Sequence, residues 1–268
     1  MKLKASSILL DLFALIVFAF ILAPIVIVVL ASFTPGGYLE FPPKGLSFRW
    51  YSEVFASQVW IDSFLTSVFI AFVAAAVTTS FCFLAALVTT RRRIFGKGAF
   101  ETSVQLPLML PHAALAMALF SLIVLIGLRG TFAGLAIAHL IVVLPFVYRP
   151  LVNGLRQLDL SLEEAAMTLG ATPGRTFRKI TLPIIRPALI NAFLFSFIIS
   201  FDEVTVSLFL IGINITTLPV KILSDVQNTA SPAIAAVSTI LMVVTLLLVF
   251  IISRLVGVRA FLSNRGGH

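Results

Sequence analysis

Charged residues are spread so unevenly that they divide the chain into stretches. After Asp11 the next charge is Glu40, and comparable gaps run over 63–90, 102–128, 130–148, 187–220 and 226–253. Only the fifth is interrupted, by the adjacent acids Asp202 and Glu203. Each gap can hold the roughly 20 helical residues that a hydrocarbon core demands, and a helix satisfies its own backbone polar groups where no water can. The pattern predicts an all-α, polytopic membrane protein forming one transmembrane domain over residues 1–268. Its six transmembrane helices are expected at about 8–31, 63–90, 103–127, 131–150, 187–211 and 232–254.

Composition agrees: 60% of residues are hydrophobic and 11% charged, which does not describe a soluble surface. Lys2 and Lys4 precede the first apolar run as in a secretory leader, but Ile8 to Ala31 is far longer than an h-region of roughly 7–15 residues, so a retained anchor is expected. The single Cys82 leaves no intramolecular disulfide and no thiolate metal cluster. A net charge of +8 could signal a nucleic-acid partner, yet the cations lie between the predicted spans. Six spans place all of them on one side except Lys44, Arg49, Arg129 and Lys221. The positive-inside bias makes the majority side, with both termini, cytoplasmic. The partner is then the lipid bilayer, not nucleic acid.

Between the spans, Phe48, Trp50, Tyr51 and Trp60 suit interface anchoring and loop packing. Ala71, Ala74, Ala75, Thr78 and Thr79 allow another helix to come close to the second span. Pro107, Pro111, Pro145 and Pro150 are expected to kink the third and fourth. His112 and His139 have no short-range ligand partner; bonds to polar groups of the bundle suit them better than a metal.

The one long polar stretch on the cytoplasmic side is about 153–186. Ser161 and Glu164 stand in capping-box spacing, predicting a helix start at Ser161. Leu162, Ala165, Ala166 and Leu169 share a face, and Gly170 provides a left-handed stop. Thr172 and Pro173 open a second short helix, which Pro183 is expected to end at Leu182. The expected unit is helix, turn, helix, outside the bilayer.

Glu164-Ala165-Ala166, three residues, Gly170, nine residues, then Ile180-Thr181-Leu182-Pro183 resembles the complete EAA loop of binding-protein-dependent ABC importer permeases. Ser200-Phe201-Asp202-Glu203-Val204 and Leu218-Pro219-Val220-Lys221-Ile222 look like the spermidine/putrescine subgroup. The resemblance implies a bacterial inner-membrane subunit with the type I importer permease fold, whose first short loop helix docks in a cytoplasmic ATPase. It assigns ATPase coupling to Ser161, Glu163, Glu164, Ala165, Ala166, Gly170, Ile180, Leu182 and Pro183, with Glu164, Ala165, Ala166 and Gly170 as the docking elements. It also implies an ABC ATPase dimer, a second and unlike permease subunit, and a periplasmic or extracellular solute-binding protein as partners.

Two adjacent acids inside a span cost roughly 2.5–3.5 kcal/mol each on insertion scales, so they need a reason. Ser196, Ser200, Glu203 and Ser207 fall on one helical stripe, with Asp202 about 100° away. Ser200, Asp202, Glu203 and Ser207 are the candidate translocation-pathway residues, with Glu203 lining the route and Asp202 bracing a neighbouring helix. A buried structural pair is the alternative. An acidic lining suits a small cation such as a polyamine; an amino-acid derivative, phosphonate or iron remains open.

No serine elbow, paired HxxxH or CxxC marks a catalytic residue, and no metal or other cofactor is called for. Gly170 to Thr176 is one residue short of a phosphate loop and has Arg175 where the motif needs Lys, so nucleotide is expected on another chain. Two rival classes stand beside the ATP-driven importer. An ion-coupled secondary transporter shares intramembrane acids but has no use for the docking loop, and a non-transporting scaffold has no use for either.

Overall fold

The computed structural model describes residues 2–212, 215–229 and 231–252. These residues are helical with short connections. In order the helices are α1 (Lys2–Ala31), α2 (Arg49–Ala56), α3 (Gln58–Arg91), α4 (Lys97–Met109), α5 (His112–Leu125) and α6 (Phe132–Arg156). Then come α7 (Leu160–Thr168), α8 (Pro173–Thr176), a π-helical turn (Phe177–Thr181), α9 (Leu182–Phe201), α10 (Thr205–Leu210), α11 (Leu218–Asn228) and α12 (Ala233–Ile252). Two compact units result, Met1–Ile61 with Ile222–His268, and Asp62–Lys221.

In the first unit α12 packs against α1 and α2. Every side chain from Leu10 to Ile27 is exposed, an apolar surface that in water would be untenable and in lipid is ordinary. The loop after α1 is tied down by its aromatic residues. Trp50 is buried and its Nε1–H donates to the Thr34 carbonyl at 2.9 Å, while the Ser32 and Tyr51 hydroxyls share a 2.6 Å bond.

The second unit is built around α6, which packs against α4, α5, α9 and α10. Thr131 caps it by accepting from the Gly134 N–H at 3.1 Å. Its buried positions, among them Leu135, Ala138, His139, Val142 and Val143, recur at helical spacing. One apolar cluster joins α6 to α5 and α10 through Leu115, Leu119, Ile123, Val206 and Leu210. A second joins it to α3, α4 and α9 through Cys82, Val104, Tyr148, Leu151 and Ile185. A Cβ on Gly154 would come within 2.8 Å of the Ala188 Cβ, so glycine lets α6 and α9 approach closely. The small residues Ala71, Ala74, Ala75, Thr78 and Thr79 of α3 are all buried.

The helices differ from the expected spans in two places. Among the described residues four helical stretches are long and apolar enough to cross a bilayer, Leu10–Ala31, Gln58–Arg91, Phe132–Arg156 and Pro173–Phe201. The third expected span, 103–127, is not one rod: α4 and α5 meet at 112°. Pro111 forces Leu110 out of helical geometry, to φ −90° and ψ 142°. Over the last, 232–254, α12 is helical from Ala233 to Ile252, and residues 253 and 254 lie outside the described residues.

The fifth span differs most. The helical stretch that holds it already starts at Pro173, because Pro183 does not stop the second loop helix at Leu182. The π turn takes up the strain: the Leu182 N–H reaches back five residues to the Phe177 carbonyl. The wider turn absorbs both the missing Pro183 N–H and the collision of its ring with the carbonyl four residues earlier. At the other end α9 stops at Phe201, well short of residue 211, and α10 resumes at Thr205.

Candidate functional site

Two places concentrate polar side chains in the second unit, and the first is α7. Its cap is Asp159, whose Oδ1 accepts from the Ser161 N–H at 2.9 Å. The carboxyl is held below the ordinary carboxylate range by that bond. The predicted start at Ser161 is thereby corrected: Asp159 supplies a charged acceptor to the orphan donors of the first turn, Leu160 opens the helix, and Ser161 and Glu164 form no reciprocal box. The stop at Gly170 is as expected. Its φ is +88°, and the Ala171 and Gly170 N–H groups close onto the Ala166 and Met167 carbonyls at 3.0 and 2.9 Å, a Schellman motif.

Only one α7 side chain is buried, and it is a carboxylate, Glu163. Its two oxygens take the Arg91 guanidinium in a fork, one arm at 2.6 Å from Nη2 and the other from Nη1. The Thr181 hydroxyl donates to the same carboxylate. Arg91 ends α3 and Thr181 ends the π turn, so three elements converge on one side chain. The Arg91 guanidinium, bonded to Glu163, holds its carboxyl below the usual range. Phe83 of α3 stacks on Phe177 of the π turn at 6.2 Å between ring centroids, a second tie between the same two elements.

The rest of α7 faces outward. Glu164 and Ala165 are exposed and Ala166 is half-buried, and Leu160, Leu162, Met167 and Leu169 are exposed hydrophobic residues, Leu169 at 89%. Ile180 and Leu182 are half-buried and Pro183 exposed. Beyond α7, Gly170, Thr172, Gly174, Arg175, Arg178 and Lys179 line an open cavity of about 660 Å³.

The second place is the interruption between α9 and α10. Ser196, Ser200, Glu203 and Ser207 are all buried, as one stripe would be, although Asp202 and Glu203 sit where the helix has ended. Asp202 terminates α9 and is exposed. Glu203 is 6% exposed; its Oε1 accepts from the Val206 N–H at 2.9 Å, closing the first turn of α10, and its Oε2 lies 2.9 Å from His112 Nε2. It is therefore Glu203 that braces a neighbouring helix. His112 opens α5, directly after the Pro111 bend, so this pair joins two helix interruptions.

Ser200 and Ser207 are buried and meet through His139 of α6: Nδ1 lies 2.8 Å from the Ser200 hydroxyl and Nε2 2.9 Å from that of Ser207. Ser196, on the same stripe, is buried without a side-chain partner among the described residues. Both histidines thus bond polar groups of the helical core, and among the described residues no cluster of three or more His, Cys, Asp or Glu could hold a metal. The sequence reading missed Arg91, Thr181, His112 and His139 as partners of the singled-out residues. They stand 72, 18, 91 and 61 positions from the groups they bond, and no local spacing rule reaches so far.

Residues 82–261 match the family model described as binding-protein-dependent transport system inner membrane component. The chain is 35% identical to the spermidine/putrescine transport system permease protein PotC of Haemophilus influenzae, over 91% of this chain and 94% of that one. It is 33% identical to the putrescine transport system permease protein PotI of Escherichia coli, over 84% and 82%. The sulfate transport system permease protein CysT of Salmonella typhimurium is 31% identical, over 78% and 81%. Among solved structures, the crystal structure of a bacterial ABC transporter involved in the import of the acidic polysaccharide alginate contains a chain that superposes with a TM-score of 0.65. That pair is 17% identical, with 94% of each chain covered, and shares the fold.

Proposed function

The chain belongs to the family of inner-membrane components of binding-protein-dependent transport systems, and from that premise we propose that it is one half of a solute pathway opened and closed by a separate ATPase. Six spans carry the pathway, with α4 and α5 together crossing as one and α12 extending as the last; both termini face the cytoplasm. The loop 153–186 is the coupling loop. α7 inserts into the ATPase dimer, a second and unlike permease completes the route, and a solute-binding protein delivers cargo from the other side.

One observation supports this reading above the rest. Glu163 is the one α7 side chain buried against its own chain, while Leu162, Ala165 and Met167, with Leu169 just beyond, stay exposed. Exposed apolar residues on a short tethered helix mark a surface that another protein covers. The small Ala165 allows a close fit. An Ala165→Trp replacement is expected to abolish ATPase co-purification and uptake while leaving membrane insertion intact; normal uptake would overturn the docking role.

The solute is a polyamine in this reading. Two of the relatives named above are polyamine permeases, and Asp202, the acid exposed at the α9–α10 interruption, offers a carboxylate to a passing cation. The sulfate relative supplies the opposite case, so thermal shifts of the cognate binding protein with putrescine, spermidine and sulfate decide the matter. Stabilisation by sulfate alone rejects the polyamine assignment and leaves the permease assignment standing.

A further inference from the structure

The proposed docking of α7 leaves open how its displacement reaches the spans, and the burial pattern answers this. Eight of its nine side chains are exposed or half-buried. A helix so thinly packed cannot push through apolar contact, because there is little of it. What it does have is one buried carboxylate, gripped on two sides. From one side comes the guanidinium that ends α3, a 34-residue helix. From the other comes a hydroxyl at the foot of the Pro173–Phe201 span.

We infer that Glu163 is the positioning residue that makes α7, the cytoplasmic end of α3 and the foot of the α9 span move as one body, so that closure of the ATPase is passed to two spans at once through the Arg91–Glu163–Thr181 clamp. The inference rests on the docking role of α7. Three features support a rigid link. The fork between a guanidinium and a carboxylate fixes direction as well as distance. Thr181 is 1% exposed and Glu163 7%, so water competes little for either. The Phe83–Phe177 stack holds α3 and the π turn together independently, which leaves α7 as the piece that the carboxylate adds.

Glu163 and Glu164 then do opposite things. Adjacent helical positions diverge by about 100°, so one acid is directed inward to its own chain and the other outward to the ATPase. Loss of the outward acid weakens docking; loss of the inward one leaves docking intact and disconnects it.

The test uses the complete transporter, both permeases with the ATPase dimer and binding protein, in vesicles of phosphatidylethanolamine and phosphatidylglycerol. Glu163→Gln is expected to retain the ATPase and hydrolyse ATP within about twofold of the parent, while radiolabelled putrescine imported per ATP falls about tenfold. The exchanged pair Arg91→Glu with Glu163→Arg is expected to recover most of that ratio, which a residue needed only for folding would not do. Unchanged import per ATP in Glu163→Gln overturns the clamp. Absence of import by the parent complex itself counts against the transport reading or its solute instead.

A second measurement needs no solute and no clamp variant. Spin labels at Leu162 and Arg92, in the Cys82→Ala background, are expected to keep their separation between nucleotide-free and vanadate-trapped states, while a pair from Leu162 to Val77, deeper in α3, reports the same constancy. A shift of several ångströms in either pair on trapping shows that α7 moves independently of α3 and overturns the inference, whatever the variants do.

Discussion

The second unit carries two pairs of neighbouring acids, Glu163–Glu164 and Asp202–Glu203, and both pairs divide the same way. One acid is buried and bonded across the fold; the other is exposed. The partners differ. Glu163 meets a guanidinium, a cation at every working pH, and a hydroxyl. Glu203 meets an imidazole and a backbone N–H. A guanidinium–carboxylate fork therefore joins α7 to the end of α3, and a carboxylate–imidazole contact joins the two helix interruptions.

Removing the permanent cation breaks this comparison most sharply. Arg91→Ala leaves a nearly buried carboxylate with only the Thr181 hydroxyl. Severing a fully buried pair costs about 3–5 kcal/mol; Arg91 is 31% exposed, so water offsets part, and a loss of roughly 2 kcal/mol is expected. Thermal unfolding of the detergent-solubilised protein measures it, and an unchanged transition would show that the pair contributes nothing to stability.

The pair at the helix interruption sharpens the comparison through its two members. Glu203→Ala removes both the bond that closes the first turn of α10 and the partner of His112, and a loss of about 1–2 kcal/mol is expected. Asp202→Asn changes an exposed side chain and is expected to shift stability by less than about 0.5 kcal/mol. Uptake of a cationic solute, by contrast, should fall in Asp202→Asn. Equal destabilisation by the two changes would mean that the division into a buried and an exposed acid is wrong.

This division was only half legible in the sequence. The charge-free gaps announced helices, and Gly170 announced a turn, because both signals are local. That one acid of each pair must turn away from the other was also readable, from the helical repeat. Which one turns inward was not, because it depends on partners far along the chain: Arg91 belongs to a run of three arginines with nothing to single it out. The end of α9 at Phe201 was hidden too, since no proline or glycine marks it. Glu203 places its carboxylate on the Val206 N–H, and a glutamate doing this reads in sequence like any other polar position on a helix. At Pro183 the local rule was applied correctly and failed, because the π turn provides a route through a proline that a strict α-helix lacks.

The loop pair can also be probed through its response to pH. Arg91 and Thr181 hold the Glu163 carboxyl below its ordinary range in the folded protein, while the unfolded chain titrates near the usual value of about 4.3. A carboxyl with a lowered folded pKa binds protons more readily when unfolded. Its stabilisation is complete above the unfolded value and disappears as pH falls through the folded one. Glu163→Gln keeps one acceptor oxygen, which Arg91 and Thr181 can share, but loses the charge and the second arm of the fork, so at neutral pH it should cost about 1 kcal/mol. That gap between parent and variant should stay constant from pH 8 down to pH 5 and close only below about pH 4. A gap that instead changes between pH 5 and 8 would show that a group other than Glu163 governs the response.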